Sequence, residues 1–497
     1  MMYGLEKSDL AIVAMKPANN AAQAAAEWVE PRAGTEGNTG QANTRRTQRR
    51  CSVSQGLERV RKIARLRKKE KFTALLHHVS VDLLRDAFLA LKRRAAPGVD
   101  GVTWQDYEAD LESNLQALHQ RVHRGSYRAQ PVKRRFIPKT DGKLRPLGIT
   151  ALEDKIVQRA LVAVLNAIYE EDFLGFSYGF RPGRGQHDAM DALAVGLDTA
   201  RVNWVLDADI RSFFDKIDQT WLIKFLEHRI GDIRIIRLVQ KWLKAGVLDE
   251  GEMSLSDTGT PQGAVISPLL ANVFLHYVFD LWAVQWRRRE AKGRVIVVRY
   301  ADDIVVGFEL EADARRFWHA MSERLGKFGL ELHEGKTRML EFGRYAAAKR
   351  QRRGQGKPET FTFLGFIFIS GKSRRGSYQL QRKSRGDRMR AKLQDIKAEL
   401  RRRMHQGIPE QGKWLGAVVT GYMNYHAVPT NARSIVAFGY HVKNLWRRTL
   451  RRRSQKDRLT FERMDKIAAA YLPRPRILHP WPNQRFAVKH PRWEPSA

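Results

Sequence analysis

The sequence predicts a mixed α+β fold in which strands and helices share one region and a basic, helical region follows. Runs of β-branched residues such as VIVVRYADDIVVGF are typical of strands, and segments with helical apolar spacing lie between them over about residues 134–370. After Lys372 the character changes, and basic helices such as DRMRAKLQDIKAELRRRMH dominate. The apolar stripe of that helix consists of Met389, Leu393, Ile396, Leu400 and Met404.

The predicted elements follow in chain order. Residues 1–56 are rich in Ala, Asn, Gln, Gly and Thr without sustained periodicity, which predicts a mostly disordered segment. Helix is predicted over residues 57–71 and 73–96, up to a break at Pro97 and Gly98. The later predictions are a strand, turn and strand at 134–149, a helix at 152–170, a buried strand at 202–210, a hairpin about Tyr300–Asp303, a helix at 312–328 and a strand at 362–369.

Charge and composition restrict the function classes. The chain has 497 residues and a net charge of +36, which predicts a polyanionic partner such as nucleic acid, with a basic membrane-surface protein as the alternative. We find no apolar run long enough to span a bilayer and no secretory leader, so a soluble, intracellular protein is expected. The single cysteine, Cys51, excludes an internal disulfide and a zinc site built on several thiolates.

Two adjacent carboxylates, Asp302 and Asp303, interrupt an otherwise apolar hairpin. A buried charge is costly unless it is paired or bound to a metal ion. A second strand-end acid, Asp209, can converge on them if its strand pairs beside the hairpin. Grouped carboxylates favour Mg²⁺, and two such ions would suit phosphoryl transfer. A solvated Asp-Asp turn is the alternative, but it does not explain the second strand-end acid in so basic a chain.

The Tyr300–Asp303 box lies within an ordered set of motifs. These are FIPKTDGKLRPLGI (136–149), YGFRPGRGQHDA (178–189), DADIRSFFD (207–215), GTPQGAVISPLLANVFL (259–275), GLELHEGKT (329–337) and FLGF (363–366). Together with the box they resemble the group II intron-encoded reverse transcriptases, also called maturases, over about residues 80–370. WLGAVVTGYMNYHAV (414–428) further resembles the maturase-specific thumb.

The resemblance implies a right-hand polymerase fold. Residues 57–370 would form fingers and a palm with an antiparallel sheet, residues 371–440 a helical thumb, and residues 441–497 a basic DNA-binding tail. Many family members carry a C-terminal HNH nuclease supported by several cysteines. The chain ends at Ala497 without them, so no endonuclease domain is expected.

The resemblance also assigns roles to the acids. Asp209, Asp302 and Asp303 match the catalytic acids that bind two Mg²⁺ ions, with Asp209 and Asp302 as the firmer ligands. Asp207 is a neighbour rather than a ligand, and Asp215 is expected to cap or brace the following helix.

The nucleotide-binding residues follow from the same comparison of motifs. Phe214 matches the bulky gate that collides with a ribose 2′-hydroxyl, although Phe213 and Phe214 could both be core residues. Lys139 and Arg145 match the pair that binds the incoming triphosphate, and Gln262 would bond the sugar or base. Lys336 matches a lysine near the pyrophosphate and could donate a proton to it, although His333 and Gly335 depart from the usual segment.

The function implied is an RNA-directed DNA polymerase that copies intron RNA during retrohoming and assists splicing by binding that RNA. Its partners would be group II intron RNA, a DNA primer, target DNA and deoxynucleoside triphosphates, in a bacterial cytoplasm and without a membrane. A dimer is one open alternative for the oligomeric state. The alternative functions are an RNA-binding maturase without polymerase activity and a related enzyme recruited to defence or diversification.

Overall fold

The computed structural model describes residues 44–138, 144–249, 252–254, 258–453 and 459–489. Within these ranges the strands are β1 (Val132–Pro138), β2 (Leu144–Ile149), β3 (Trp204–Asp209), β4 (Val247–Asp249), β5 (Glu252–Ser254), β6 (Val295–Tyr300), β7 (Asp303–Phe308), β8 (Arg338–Glu341), β9 (Phe361–Phe363), β10 (Phe366–Lys372) and β11 (Tyr378–Ser384).

The helices in the same ranges are α1 (Thr44–Leu66), α2 (Val81–Leu89), α3 (Trp104–Glu108), α4 (Leu111–His123), α5 (Leu152–Asp172), α6 (Gln186–Thr199), α7 (Phe213–Lys216), α8 (Gln219–Glu227), α9 (Ile233–Leu243), α10 (Ser267–Leu275), α11 (Leu281–Arg289), α12 (Glu311–Gly326), α13 (Ala346–Arg352), α14 (Gly386–Arg402), α15 (Ile408–His426), α16 (Ala432–Arg451), α17 (Phe461–Tyr471) and α18 (Pro482–Lys489). A 3₁₀ turn, Leu76–His78, precedes α2, and a π turn, His276–Asp280, joins α10 to α11.

A central antiparallel sheet has the strand order β6-β7-β3-β8. Its hairpin, β6 and β7, is the one that the two β-branched arms predict, and both arms are buried almost throughout. Strand β3 pairs with β7 from Trp204 opposite Phe308 to Asp209 opposite Asp303. The acidic ends of β3 and β7, the two central strands, therefore meet at one end of the sheet.

The described chain also forms two smaller sheets. One has the order β2-β1-β4-β5, in which β1 and β2 form the predicted hairpin; its turn, residues 139–143, lies outside the described residues. The other has the order β11-β10-β9 and is antiparallel. The predicted mixture of helices with antiparallel sheets is thus confirmed.

The main hydrophobic core joins the central sheet to the helices around it. Helix α6 packs on β6, and α12 packs against β3 and β7. The run Ser267–Arg289 is the one stretch of the described chain that is long and apolar enough to cross a membrane, but 72% of its most apolar window is buried. It is therefore a core helix by its surroundings.

A second hydrophobic cluster lies in helices α14 to α17. Ile396 and Leu400 of the predicted stripe are buried in it, and Trp446 is fully buried, with its Nε1 donating to Gln411 Oε1 at 2.8 Å. Helix α18 then returns to the main core, where Phe486 is buried and α18 packs on α6. The predicted boundary at 440/441 falls inside α16.

Three predicted elements differ from the structure. Helix α1 begins at Thr44, so it takes in residues 44–56 of the segment predicted to be disordered, and it ends at Leu66, before the predicted end at residue 71; residues 1–43 lie outside the described chain. The helix predicted over 73–96 is wrong at both ends, because the side chain of Ser80 accepts the amide of Leu83 and starts α2 there, and α2 ends at Leu89.

The strand predicted at 362–369 is interrupted. Leu364 and Gly365 have φ of +47° and +81°, so the chain turns there and forms the hairpin of β9 and β10. A leucine in the left-handed region is uncommon, which is why the apolar run TFLGFIFI resembles one continuous strand.

Candidate active site

The tip of the hairpin of β6 and β7 carries the two adjacent acids. Tyr300 and Asp303 are the last cross-strand pair, and Ala301 and Asp302 form the turn between them. Ala301 is buried with φ of +55°, a left-handed conformation that lets a two-residue turn reverse the chain. The turn is therefore tight, and the direction of both acids depends on it.

Asp209 lies directly opposite Asp303 on the neighbouring strand. Cross-strand partners in an antiparallel pair have Cβ atoms about 4.5–5.5 Å apart and point to the same face. Asp207, two residues earlier in β3, shares that face because side chains alternate along a strand. The structure thus brings Asp209 to the tip, with Asp303 as its register partner and Asp302 as the adjacent turn residue.

Several carboxylates are crowded together at this end of the sheet. The surrounding protein and the negative charges of Asp302, Asp209 and Asp207 raise the pKa of Asp303 to about 7, although part of the residue is open to solvent. Burial raises the pKa of Asp207 to about 6, against the opposing charge of Arg338. Mutual repulsion of this kind is what a bound cation would relieve.

Lys336 places a positive charge at this end of the sheet. Its Nζ lies 2.6 Å from Asp209 Oδ2, and the amide of His333 donates to the backbone carbonyl of Asp209 at 2.8 Å. Residues 333–337 therefore lie directly against the end of β3. The structure places the ammonium group of Lys336 beside an acid at the end of β3.

The donor set fits a divalent cation by its chemistry. Carboxylate oxygens are the hard ligands that Mg²⁺ takes; Asp209 and Asp303 supply them from two strands, and Asp302 supplies them from the turn. Across the residues that the structure describes, no group of three His, Cys, Asp or Glu side chains already has the arrangement of a metal site. Because Lys336 occupies one oxygen of Asp209, an ion that used that oxygen would have to displace the ammonium group.

The two phenylalanines after β3 have different surroundings. Phe213 is buried in the core, whereas Phe214 is only partly buried and packs against the core's edge. The backbone carbonyl of Phe214 accepts the amide of Thr260 at 2.8 Å. Phe214 therefore lies next to the loop of residues 259–263, and Phe213 is the one that serves the core.

Gln262 lies in that loop and bridges it to two elements. Its Nε2 donates to Asp215 Oδ1 at 3.3 Å, and its carbonyl accepts the amide of Gly148 at 2.5 Å. Asp215 is expected to cap or brace the following helix; the capping part is wrong, because Asp218 caps α8 by accepting the amide of Trp221 at 2.9 Å. Asp215 instead supports the loop through Gln262.

The predicted triphosphate pair is only partly visible. Lys139 lies outside the described residues. Arg145 is in β2, where its backbone pairs with Ile137 of β1. The structure thus confirms that Arg145 belongs to the second arm of the hairpin.

The hairpin of β9 and β10 is tied to the helical region. Tyr425 in α15 donates its hydroxyl to the carbonyl of Leu364 at 2.7 Å, and the amide of Arg385 donates to the carbonyl of Gly365 at 3.3 Å. The motif FLGF therefore forms the turn that contacts α15.

Sequence reasoning missed two residues behind the tip. Gly179 packs so closely under the turn that an added Cβ would overlap the backbone nitrogen of Ala301 and would lie 2.9 Å from the carbonyl carbon of Tyr300 and 3.0 Å from Ala301 Cα. Arg299 has no exposed surface and donates to the carbonyl of Ala301 at 3.0 Å. The charge of Arg299 within the apolar run VIVVRY indicated a residue with a special role. Nothing in the sequence indicated such a role for Gly179 beyond its place in YGFRP.

Comparison with known proteins bears on this site. Residues 137–368 match the family described as reverse transcriptase (RNA-dependent DNA polymerase), a range that contains β3, the hairpin tip and the 259–263 loop. Protein YkfC of Escherichia coli (strain K12) is 35% identical over 326 residues, which are 59% of this chain and 81% of that protein.

Two relatives have names that refer to introns. Group II intron-encoded protein LtrA of Lactococcus lactis subsp. cremoris is 32% identical over 292 residues, 57% of this chain and 47% of LtrA. Nuclear intron maturase 3, mitochondrial, of Arabidopsis thaliana is 30% identical over 124 residues, 25% of this chain and 17% of that protein. The chain thus matches about half the length of LtrA and less of the maturase. The predicted resemblance is confirmed: the chain belongs to the reverse transcriptase family, among the relatives of group II intron-encoded proteins.

Proposed function

We propose that the protein is an RNA-directed DNA polymerase that adds deoxynucleotides to a primer 3′-hydroxyl and releases pyrophosphate. The observation that carries the proposal is the cross-strand pair of Asp209 and Asp303 at the end of the central sheet, with Asp302 in the adjoining turn. Membership of the reverse transcriptase family supports the same reaction. Two acids from neighbouring strands and one from the adjoining turn give this end of the sheet the ligands that phosphoryl transfer requires.

Asp209, Asp302 and Asp303 would hold two Mg²⁺ ions. Such ions, when bound, activate the attacking hydroxyl and stabilise the leaving oxygen. The chain's own part is to present the carboxylates in a fixed direction, which the paired ends of β3 and β7 support. The raised pKa of Asp303 supports a site in which positive charge is favoured.

The residues around the acids would bind the nucleotide. Phe214, at the edge of the core, would exclude a ribose 2′-hydroxyl by its bulk, so that the product is DNA. Gln262 would contact the sugar or base from the loop that Asp215 supports. Lys139 and Arg145 would bind the triphosphate as a point charge and a bidentate donor.

Lys336 would have one role before the substrate binds and another during the reaction. Without substrate its ammonium group neutralises Asp209, at 2.6 Å. The lysine is largely exposed, with 63% of its side chain open to solvent, so it is free to move toward a pyrophosphate and donate a proton to it. The contact with Asp209 supports a place for Lys336 within reach of the reacting groups.

We propose the right-hand arrangement for the whole chain, with residues 57–370 as fingers and palm and residues 371–440 as a helical thumb. The residues from 441 onward would bind DNA. A net charge of +36 supports nucleic-acid partners, namely intron RNA, a DNA primer and target DNA, in a bacterial cytoplasm. Binding of the parental intron RNA would give a second, non-catalytic role in splicing.

Primer extension on poly(rA) with an oligo(dT) primer, with and without Mg²⁺, tests the proposal. The variant Asp302→Ala with Asp303→Ala should lose DNA synthesis while its RNA affinity and assisted splicing persist. Glu323→Gln, on the exposed side of α12, is the control and should retain both. Synthesis that survives loss of both acids would contradict the proposed site, and an inactive wild type that still binds RNA would favour the maturase without polymerase activity.

A further inference from the structure

Arg299 is the most completely bonded charged group behind the hairpin tip. Its Nε and Nη2 donate to the two carboxylate oxygens of Asp280 at 2.7 and 2.6 Å, and both residues have no exposed side-chain surface. Nη1 donates to Asn272 Oδ1 at 3.0 Å, and Nη2 also donates to Ser177 Oγ at 2.7 Å. The fifth bond is to the carbonyl of Ala301, at 3.0 Å. Every N–H of the guanidinium is therefore used.

The π turn explains how one helix supplies two of these acceptors. In an uninterrupted α-helix, two side chains with the spacing of Asn272 and Asp280 would point about 80° apart, because each residue advances by about 100° around the helix axis. A π turn takes in one extra residue, which brings the two side chains to within about 20° of each other. The π turn lies between them, at His276–Asp280, and both side chains contact the same guanidinium.

The bonds of Arg299 reach the turn that carries the acids. Ala301, whose carbonyl accepts from Nη1, holds the left-handed conformation that reverses the chain between Tyr300 and Asp303. Asn272 supports the turn through a second residue. Its Nδ2 donates to the carbonyl of Gly179 at 2.7 Å, and Gly179 packs against Ala301. The helix, the arginine and the turn are therefore one connected unit.

We propose that Arg299, held in place by Asp280 and the π turn, is a positioning residue of the polymerase that sets the direction of Asp302 and Asp303 toward their cations. The proposal rests on the proposed function. A buried ion pair is weak evidence for stability, because a well-packed apolar pair of similar volume is often as stable. The hydrogen bond to the Ala301 carbonyl, in contrast, cannot be replaced by an apolar side chain. An apolar replacement of the ion pair can therefore keep the stability of the protein while it removes the positioning of the turn.

Two variants of the full chain use that difference. Arg299→Lys keeps the charge but has three donors from a single nitrogen and cannot reach all the acceptors. Arg299→Met with Asp280→Leu removes both charges and refills the volume. Arg229→Lys is the control, because Arg229 is also buried and pairs with Asp172 at 2.8 Å, and its other acceptors are backbone carbonyls of Ala64, Arg67 and Glu70.

The readouts are the melting temperature, Mn²⁺ affinity by electron paramagnetic resonance without nucleic acid, and kcat and KM for single-nucleotide addition. Both Arg299 variants should bind Mn²⁺ about tenfold more weakly and lose about tenfold in kcat, with KM for the nucleotide within about twofold of wild type. The double variant should melt near the wild-type temperature. Arg229→Lys should melt lower and keep wild-type Mn²⁺ affinity.

Wild-type Mn²⁺ affinity and kcat in the folded double variant would overturn the proposal. So would effects in Arg299→Lys that Arg229→Lys reproduces at equal loss of melting temperature. If the double variant does not fold, Arg299→Lys alone decides between these results. A wild type that cannot extend a primer would refute the proposed function, while the Mn²⁺ comparison would still test the positioning role.

Discussion

Gly179→Ala is the most direct steric perturbation of the acidic turn from outside it. The added Cβ would overlap the backbone nitrogen of Ala301 and would lie 2.9 Å from the carbonyl carbon of Tyr300 and 3.0 Å from Ala301 Cα, whereas ordinary contact begins near 3.4 Å. The neighbours are backbone atoms, which cannot rotate away as a side chain can. To relieve the overlap with the Ala301 nitrogen the turn must therefore withdraw by roughly 1 Å, and a displacement of about 1 Å can cost 10²-fold in rate.

We expect Gly179→Ala to lower the single-turnover rate of nucleotide addition by about 10- to 100-fold on an RNA template. The control is Gly326→Ala, at the end of α12, where an added Cβ meets nothing within 4 Å and helix propensity improves by about 1 kcal/mol. Melting temperatures of both variants separate misfolding from displacement. A folded Gly179→Ala protein with the wild-type rate would refute the reasoning, because the turn would then tolerate movement.

Three further predictions concern the site and its surroundings. Lys336→Ala should tighten Mn²⁺ binding measured without substrate, because it removes the ammonium group from Asp209; the free energy of unfolding should change by less than about 1 kcal/mol, since the lysine is exposed. Weaker Mn²⁺ binding would contradict the contact. Phe214→Val should raise ribonucleotide incorporation relative to deoxynucleotide incorporation by about tenfold or more in single-nucleotide assays, and an unchanged ratio would remove Phe214 as the gate. Burial lowers the pKa of His426 to about 4, so between about pH 6.5 and pH 4 the unfolded chain binds a proton that the folded chain does not. Stability should therefore fall by about 2 kcal/mol through this residue from pH 7 to pH 5, and His426→Gln should reduce that loss in denaturant titrations; an equal loss in both proteins would contradict it.

Local sequence predicted the elements that local chemistry determines. The hairpin about Tyr300–Asp303, the strand that ends at Asp209 and the hairpin at 134–149 are all present, because β-branched runs and turn residues act over a few positions. The break before α2 was also local, and Ser80 as a helix cap could have revealed it.

The assembled site could not be predicted in the same way. Pairing of Asp209 with Asp303 depends on the register of two strands that are distant in the chain, and a shift of one residue would turn every side chain to the other face. The contact of Lys336 with Asp209 depends on that register too. The π turn carries no distinctive composition, so the alignment of Asp280 with Arg299 emerges only from the fold.

The central claim is that Asp209 and the two acids of the tip share divalent cations. Anomalous scattering from crystals grown with Mn²⁺, an RNA–DNA primer duplex and an incoming deoxynucleotide tests it most directly. We predict Mn²⁺ peaks bonded to carboxylate oxygens of Asp209 and of Asp302 or Asp303, with Lys336 moved off Asp209. A bound, correctly paired nucleotide with no peak between these strands, and with Lys336 still on Asp209, would contradict the account.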